Sequence, residues 1–149
     1  MLRIILPALA LGVDRVTKHL TRKDDLHGIY CRGNISLEHV ENDGLAAGIG
    51  SGHKKTVKLA HSAALAGLTA LLLPTLPRSS RLRQCGVALL LSGAASNLYD
   101  RLRHGTVTDM LRFPKAPGKL STLVWNAADL MLLAGLVLTT LGSFRKQRT

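Results

Sequence analysis

Apolar and polar positions divide the chain into four apolar runs, separated by short basic loops and one long polar segment. Thr56–Leu76 and Leu123–Phe144 are each long enough to cross hydrocarbon as a helix, which takes about 20 residues. Leu82–Leu98 is a third run that turns small and polar at its end. The first run, Met1–Val13, is interrupted by Asp14 and admits two readings. Arg3 followed by Ile4–Gly12 has the basic start and apolar core of a signal peptide. Alternatively, the helix continues through Asp14, Arg15 and Lys18 to about Leu20, with its polar end in the headgroup zone. Within the polar segment 21–55, Asn34–Val40 alternates as a strand does, and Asn42-Asp43-Gly44 reads as a tight turn. A small sheet lying on the membrane surface accounts for this segment.

Composition narrows the class. The chain has 149 residues, 46% of them hydrophobic, yet carries a formal net charge of +11. One domain fits that length. A disordered basic tail would lack the apolar runs, and 3% aromatic content gives little surface for stacking bases. A small helical membrane protein remains, and the basic surplus has a use there as an anchor to anionic headgroups. Four spans put both termini on one side with the Pro77–Arg83 loop. That side holds Arg3, Arg78, Arg81, Arg83, Arg145, Lys146 and Arg148 and no acid. The other side carries more cations in total, but these seven crowd very short loops, where the positive-inside rule has most force, so this side is expected to be cytoplasmic.

Charged and amide side chains recur at the outer ends of these helices, where an intramembrane charge costs roughly 2.5–3.5 kcal/mol on insertion scales and marks function. Asp14, Thr17 and Lys18 share one helix face; Asn97, Asp100 and Arg101 close the third run; Asp109 follows a turn at Gly105; Asn126 and Asp129 lie three apart in the fourth. Each acid has a structural reading beside the functional one: Asp129 paired with Arg101 or Lys18, Asp100 with Arg101, Asp14 with Lys18, Asp109 with Arg112. The functional reading is chemical. Two carboxylates held a few ångströms apart share a proton, so one can take a proton from water while the other polarises a peptide carbonyl. The histidines (19, 27, 39, 53, 61, 104) show no HExxH or similar spacing, and no Ser or Cys has a base at motif spacing, which disfavours metal-dependent and acyl-enzyme hydrolysis. His61, inside the second run, stands apart from the others. Cys31 and Cys85 lie in dissimilar segments and read as ordinary thiols.

In this order the motifs resemble those of the bacterial lipoprotein signal peptidase (signal peptidase II) family over nearly the whole chain. Asp14-Arg15-Val16-Thr17-Lys18 is similar to its D-x-x-T-K element, and Asn42-Asp43-Gly44-Leu45-Ala46 to N-x-G-x-A. Asn97-Leu98-Tyr99-Asp100-Arg101, continuing through Gly105, Val107 and Asp109, resembles N-x-x-D-R-x-x-x-G-x-V-x-D. Trp125-Asn126-Ala127-Ala128-Asp129 resembles the closing aromatic-N-x-A-D. The resemblance selects the retained first helix. It implies an all-α membrane protein: four transmembrane helices with a small extracytoplasmic β-cradle, in one peptidase domain over 1–149 with 21–55 as the β-rich insertion.

The resemblance further implies Asp109 and Asp129 as a catalytic dyad. Asn97, Asp100, Arg101 and Asn126 would line the site, with Asp14, Lys18, Asn42 and Gly44 in support. The implied activity is removal of the signal peptide of prolipoproteins just before a diacylglyceryl-modified cysteine. No metal or organic cofactor and no nucleic acid is implied. The partners are prolipoproteins and membrane lipid, and the enzyme is expected to be a monomer in the bacterial inner membrane, with both termini cytoplasmic and the site near the outer face. Three positions depart from the pattern: Ala47 replaces an aromatic, Ser96 a glycine and Met110 a phenylalanine. They motivate one alternative, a degenerate member that binds lipoproteins without cutting them. A second is a proton-coupled carrier using the same acids as a relay.

Overall fold

Each apolar run becomes a helix in the computed structural model, which describes residues 2–23, 28–30, 33–45 and 49–144. The helices are α1 (Leu2–Arg22), α2 (Lys54–Leu72), α3 (Arg81–His104) and α4 (Ala127–Phe144). The strands are β1 (Gly28–Tyr30), β2 (Ile35–Asn42), β3 (Val107–Arg112) and β4 (Val124–Trp125). Short 3-10 segments follow α2 (Leu73–Arg78) and precede β4 (Gly118–Thr122). The chain is thus mostly helical with one small sheet.

That sheet has the order β1-β2-β3-β4, antiparallel throughout, with an irregularity in the β2–β3 ladder between Leu37 and Val40. Two of its strands lie within 21–55, and the other two come from the connection between α3 and α4. Gly105 makes this possible. It caps α3 in the left-handed conformation (φ 83°), with its N–H on the Arg101 carbonyl at 3.1 Å, and turns the chain straight into β3. At the opposite end of α3, the Ser80 hydroxyl accepts from the Arg83 N–H at 3.3 Å and donates to the Gly142 carbonyl at 2.7 Å, so the N-cap of α3 also ties down the end of α4.

Packing is tightest between α3 and α4. Gly86 and Gly93 on α3, and Gly135 and Gly142 on α4, are each seven residues apart and so repeat on one face. A Cβ on Gly93 would lie 2.6 Å from the Ala128 carbonyl oxygen, and one on Gly135 2.6 Å from the Leu90 nitrogen. At Gly86 and Gly142 it would meet the backbones of Thr139 and Arg83. Small residues here let two backbones touch, the usual way helices associate where the solvent is as apolar as the side chains.

Burial is inverted relative to a water-soluble protein. Lys18, Asn126, Thr21, Thr108, Asp14 and Asp100 are among the largest fully buried side chains. Leu59 (72% exposed), Leu71 (73%) and Phe144 (83%) point outward with many other aliphatics. Such a surface suits lipid. By length and apolarity alone, Lys54–Pro77 and Ala127–Phe144 qualify as membrane spans. The other two helices run longer than the apolar segments expected for them: α1 continues to Arg22 and α3 to His104, because polar partners inside the bundle hold their charged ends. The cationic tail Arg145, Lys146 and Arg148, as well as Cys31 and Ala47, lies outside the described residues.

Candidate functional site

The ends of α1, α3 and α4 meet the sheet around a buried charge cluster. Lys18 is its centre. Its ammonium lies 3.0 Å from Asp14 Oδ2 and 2.8 Å from Asp100 Oδ2, and donates to Asn97 Oδ1 at 2.9 Å. Arg15 closes the other side, with NH2 on Asp14 Oδ2 at 3.0 Å and NH1 on Asp100 Oδ1 at 2.8 Å. Asp14 also accepts from the Ser96 hydroxyl at 2.6 Å and from the Ala128 N–H at 2.9 Å, which fastens α1 to the first turn of α4.

Of the four local pairings suggested by sequence, one is present and three come out differently. Asp14 does pair with Lys18, four residues on. Asp100 pairs not with Arg101 but with Lys18, Arg15 and, at 3.5 Å, Arg22. Neighbours on a helix diverge by about 100°, so Asp100 turns to α1 while Arg101 turns away. Arg112 bridges Glu38 at 3.0 Å, leaving Asp109 to other partners. Asp129 meets neither Arg101 nor Lys18 directly. Instead it accepts from Asn97 Nδ2 at 2.8 Å. Asn97 is therefore oriented on both sides, its carbonyl taking from Lys18 and its amide giving to Asp129.

Asp129 sits in the first turn of α4 rather than in mid-span, and the motif Asn126-Ala127-Ala128-Asp129 is a capping box. The Asp129 N–H donates to Asn126 Oδ1 at 2.9 Å, and the Asn126 N–H donates back to Asp129 Oδ2 at 3.0 Å. Asn126 still has its side-chain NH2 group. Its Nδ2 donates to Asp109 Oδ1 at 2.6 Å, so this one side chain bridges the two acids. Asp109, on β3, also accepts from Asn42 Nδ2 at 3.0 Å; the Asn42 carbonyl in turn receives the Gly44 N–H at 3.0 Å and so shapes the turn after β2. Burial, and then the nearby Asp129 carboxylate, push Asp109 up to about 6 against the pull of the two amides.

Both acids line a cavity of about 860 Å³ together with Asn42, Asn97, Arg101, Asn126 and His61. Its remaining wall is largely apolar, including Ala64, Leu123, Val124, Trp125 and Leu132. Arg101 is buried against it, donating to the Gly44 carbonyl and, at 3.4 Å, to the Asn97 carbonyl. Of the residues singled out by sequence, Asn42, Asn97, Arg101, Asp109, Asn126 and Asp129 thus meet at the cavity; Asp14, Lys18 and Asp100 form the cluster behind it; and Gly44 supplies the carbonyl that holds Arg101.

Arg15, Ser96 and Arg22 were not singled out for the site, yet they complete the cluster. The signal for Arg15 and Arg22 was present: with Lys18 they form a cationic stripe at i, i+3 and i+7 on an otherwise apolar helix. Ser96, one of the three departures, gives Asp14 a hydroxyl that glycine could not. Met110, another, is buried at 2% exposure as an apolar core residue. Arg22 extends the cluster to the sheet: its Nε donates to Thr108 Oγ1 at 2.7 Å, and Thr108 donates to Glu41 at 2.9 Å. Burial raises the Glu41 carboxyl, but hydrogen bonds from Thr106, His39 and Thr108 outweigh it and hold the group below its ordinary value.

Comparison with known proteins agrees in sequence and in fold. Residues 6–145 match the family model described as signal peptidase (SPase) II. A lipoprotein signal peptidase of Solibacter usitatus is 31% identical over 95% of this chain and 89% of its own length. That of Clostridium acetobutylicum is 28% identical over 92% and 90%. For that of Desulforapulum autotrophicum, 32% identity spans 70% of this chain and 66% of the relative. A bacterial membrane enzyme solved at 1.9 Å superposes with a TM-score of 0.76 over 99% of this chain and 94% of that one, at 22% identity.

Proposed function

The chain belongs to the signal peptidase II family, and from that premise we propose that it is a membrane-embedded aspartic endopeptidase that removes the signal peptide of prolipoproteins before a diacylglyceryl-modified cysteine. The observation that carries the aspartic mechanism is Asn126 bridging Asp109 and Asp129 at one cavity wall. Each acid accepts two N–H bonds, but Asp129 also stands at a helix N-terminus, where the macrodipole favours negative charge, which supports it as the base. Asp109, held near 6, keeps the shared proton.

In this mechanism water attacks the scissile carbonyl carbon as Asp129 takes its proton and Asp109 gives its own to the carbonyl oxygen. Collapse of the resulting diol breaks the C–N bond: one diol hydroxyl returns its proton to Asp109, and the proton on Asp129 passes to the leaving amine of the cysteine. The apolar wall formed by Leu123, Val124 and Leu132 is suited to acyl chains. Arg101 supplies a fixed positive charge where the carbonyl oxygen develops negative charge.

We read all four helices as spanning the inner membrane, with both termini cytoplasmic and the sheet and cavity at the outer face. At ~1.5 Å per residue the 21 residues of α1 and 24 of α3 are long enough. The chain then acts as one peptidase unit over 1–149, as a monomer, with 21–55 contributing part of the cradle.

Purified full-length protein in detergent should cut a synthetic diacylglyceryl-cysteine peptide at the cysteine. Asp109→Asn and Asp129→Asn should each lower kcat by roughly 10³-fold, within the range that general acid–base groups supply. Cleavage by either variant at the parent rate would remove the dyad. Binding of the peptide without cleavage by the parent protein would leave a lipoprotein-binding member instead.

A further inference from the structure

His61 stands on α2, at the cavity wall, and its ring is shared between two residues of α3. Arg101 NH1 lies 3.2 Å from Nδ1. A guanidinium only donates, so Nδ1 accepts and the ring proton is on Nε2, free for the ring's other partner, the Ala94 carbonyl. Among the described residues, the side-chain hydrogen bonds from α2 to another helix are both His61's. Arg101 depends on such a partner. Among the described residues no carboxylate lies within ion-pair distance of it, and its hydrogen-bond acceptors are all neutral: the Gly44 carbonyl from the loop after β2, the Asn97 carbonyl from α3, and His61 from α2. Each comes from a different element of the fold. Its interaction with Asp109 and Asp129 acts through space.

We propose that His61 is a positioning residue whose Nδ1 fixes the direction of the Arg101 guanidinium, keeping that cation aimed at the acid pair while substrate occupies the cavity. This rests on the hydrolytic reading above. A neutral imidazole suits the task, because it accepts from a cation without neutralising it, as a carboxylate would. The full charge of Arg101 stays available to the reacting carbonyl.

The test separates the two ring contacts. Asn places an amide oxygen at the reach of Nδ1, and Gln places its amide at the reach of Nε2. His61→Leu and His61→Gln should each lower kcat/KM for the diacylglyceryl-cysteine peptide by about tenfold, because small displacements at a reacting centre carry losses of up to 10²-fold. His61→Asn should retain most activity, and all three should melt within a few degrees of the parent in detergent. Parent-level activity in His61→Leu, or rescue by Gln and not Asn, would overturn the assignment, the latter because α2 would then matter only as an anchor to Ala94. Asp109→Asn in the same assay keeps the readings apart: its full activity sinks the hydrolytic mechanism, whereas the His61 outcomes above sink only the role given to His61.

Discussion

The α3–α4 pair and α2 are both helical, but they are held by opposite means. Four glycines bring the backbones of α3 and α4 into contact, and Ser80 locks their far ends. By contrast, α2 buries only Val57, and among the described residues its side-chain hydrogen bonds to another helix are those of His61. The polar cluster adds α1 to the first group, since Asp14 holds Ala128 and Lys18 holds Asn97 and Asp100. The proposed acids both stand on that braced frame, Asp129 on α4 and Asp109 on the strand that leaves α3. The fourth wall is a helix laid against the cavity. Positional accuracy is thus concentrated where the two proposed catalytic carboxylates must be kept together.

The sharpest way to break the frame is to remove its central cation. Lys18→Met leaves Asp14 and Asp100 buried with their charge only partly matched, and should destabilise the fold by about 3–5 kcal/mol. Thermal unfolding in detergent would register this, and an unchanged midpoint would mean the cluster is wet. Next comes the seam itself. Gly86→Ala inserts a methyl into the Thr139 backbone and should cost ~1–3 kcal/mol, part of it seen as a loss of activity when the acids shift.

The frame should also set the pH response. Asp109 titrates near 6 in the free protein, and the doubly ionised pair has no proton to give, so kcat/KM should fall as pH rises beyond about 6. The stability effect has the same sense. A carboxyl raised above its unfolded value binds more protons folded than unfolded, so stability should decline as pH rises from about 4 through 6. A cleavage rate unchanged from pH 5 to 9 would contradict both the value and the role. Smallest is the control on the other side of the comparison. Gly67 in α2 has open space where a Cβ would go, so Gly67→Ala should stabilise by ~0.5–1 kcal/mol through helix propensity alone. A loss there comparable to Gly86→Ala would mean that α2 is packed as tightly as the seam.

Helix positions, the strand in 35–42 and the clustering of polar groups at one end were legible because hydropathy and period survive into three dimensions. Partner choice was not. The Asp100–Arg101 pair looked self-sufficient in sequence, yet the two side chains leave α3 in different directions and serve different neighbours. Asp109 has Arg112 three residues on, but strand geometry sends residues i and i+3 to opposite faces, and the guanidinium goes to Glu38 instead. Asn126 and Asp129 were read as a polar pair inside an apolar run. The missed signal was their spacing, which is that of a helix start, and which explains why α4 begins at Ala127 although the apolar run begins at Leu123. Half the sheet was invisible for a related reason: β3 and β4 are short segments that acquire meaning only when β2 arrives beside them.

The capping box makes the distance between two letters matter more than either letter. One residue added between Asn126 and Asp129 would rotate everything beyond it by about 100° about the α4 axis. The helix would still begin, and both side chains of the proposed dyad would remain in the sequence. Asp129 would then face a different neighbour, and Asn126 would still hold Asp109 but nothing on the far bank. A single-codon insertion should therefore abolish the proposed cleavage without removing any chemical group from the chain.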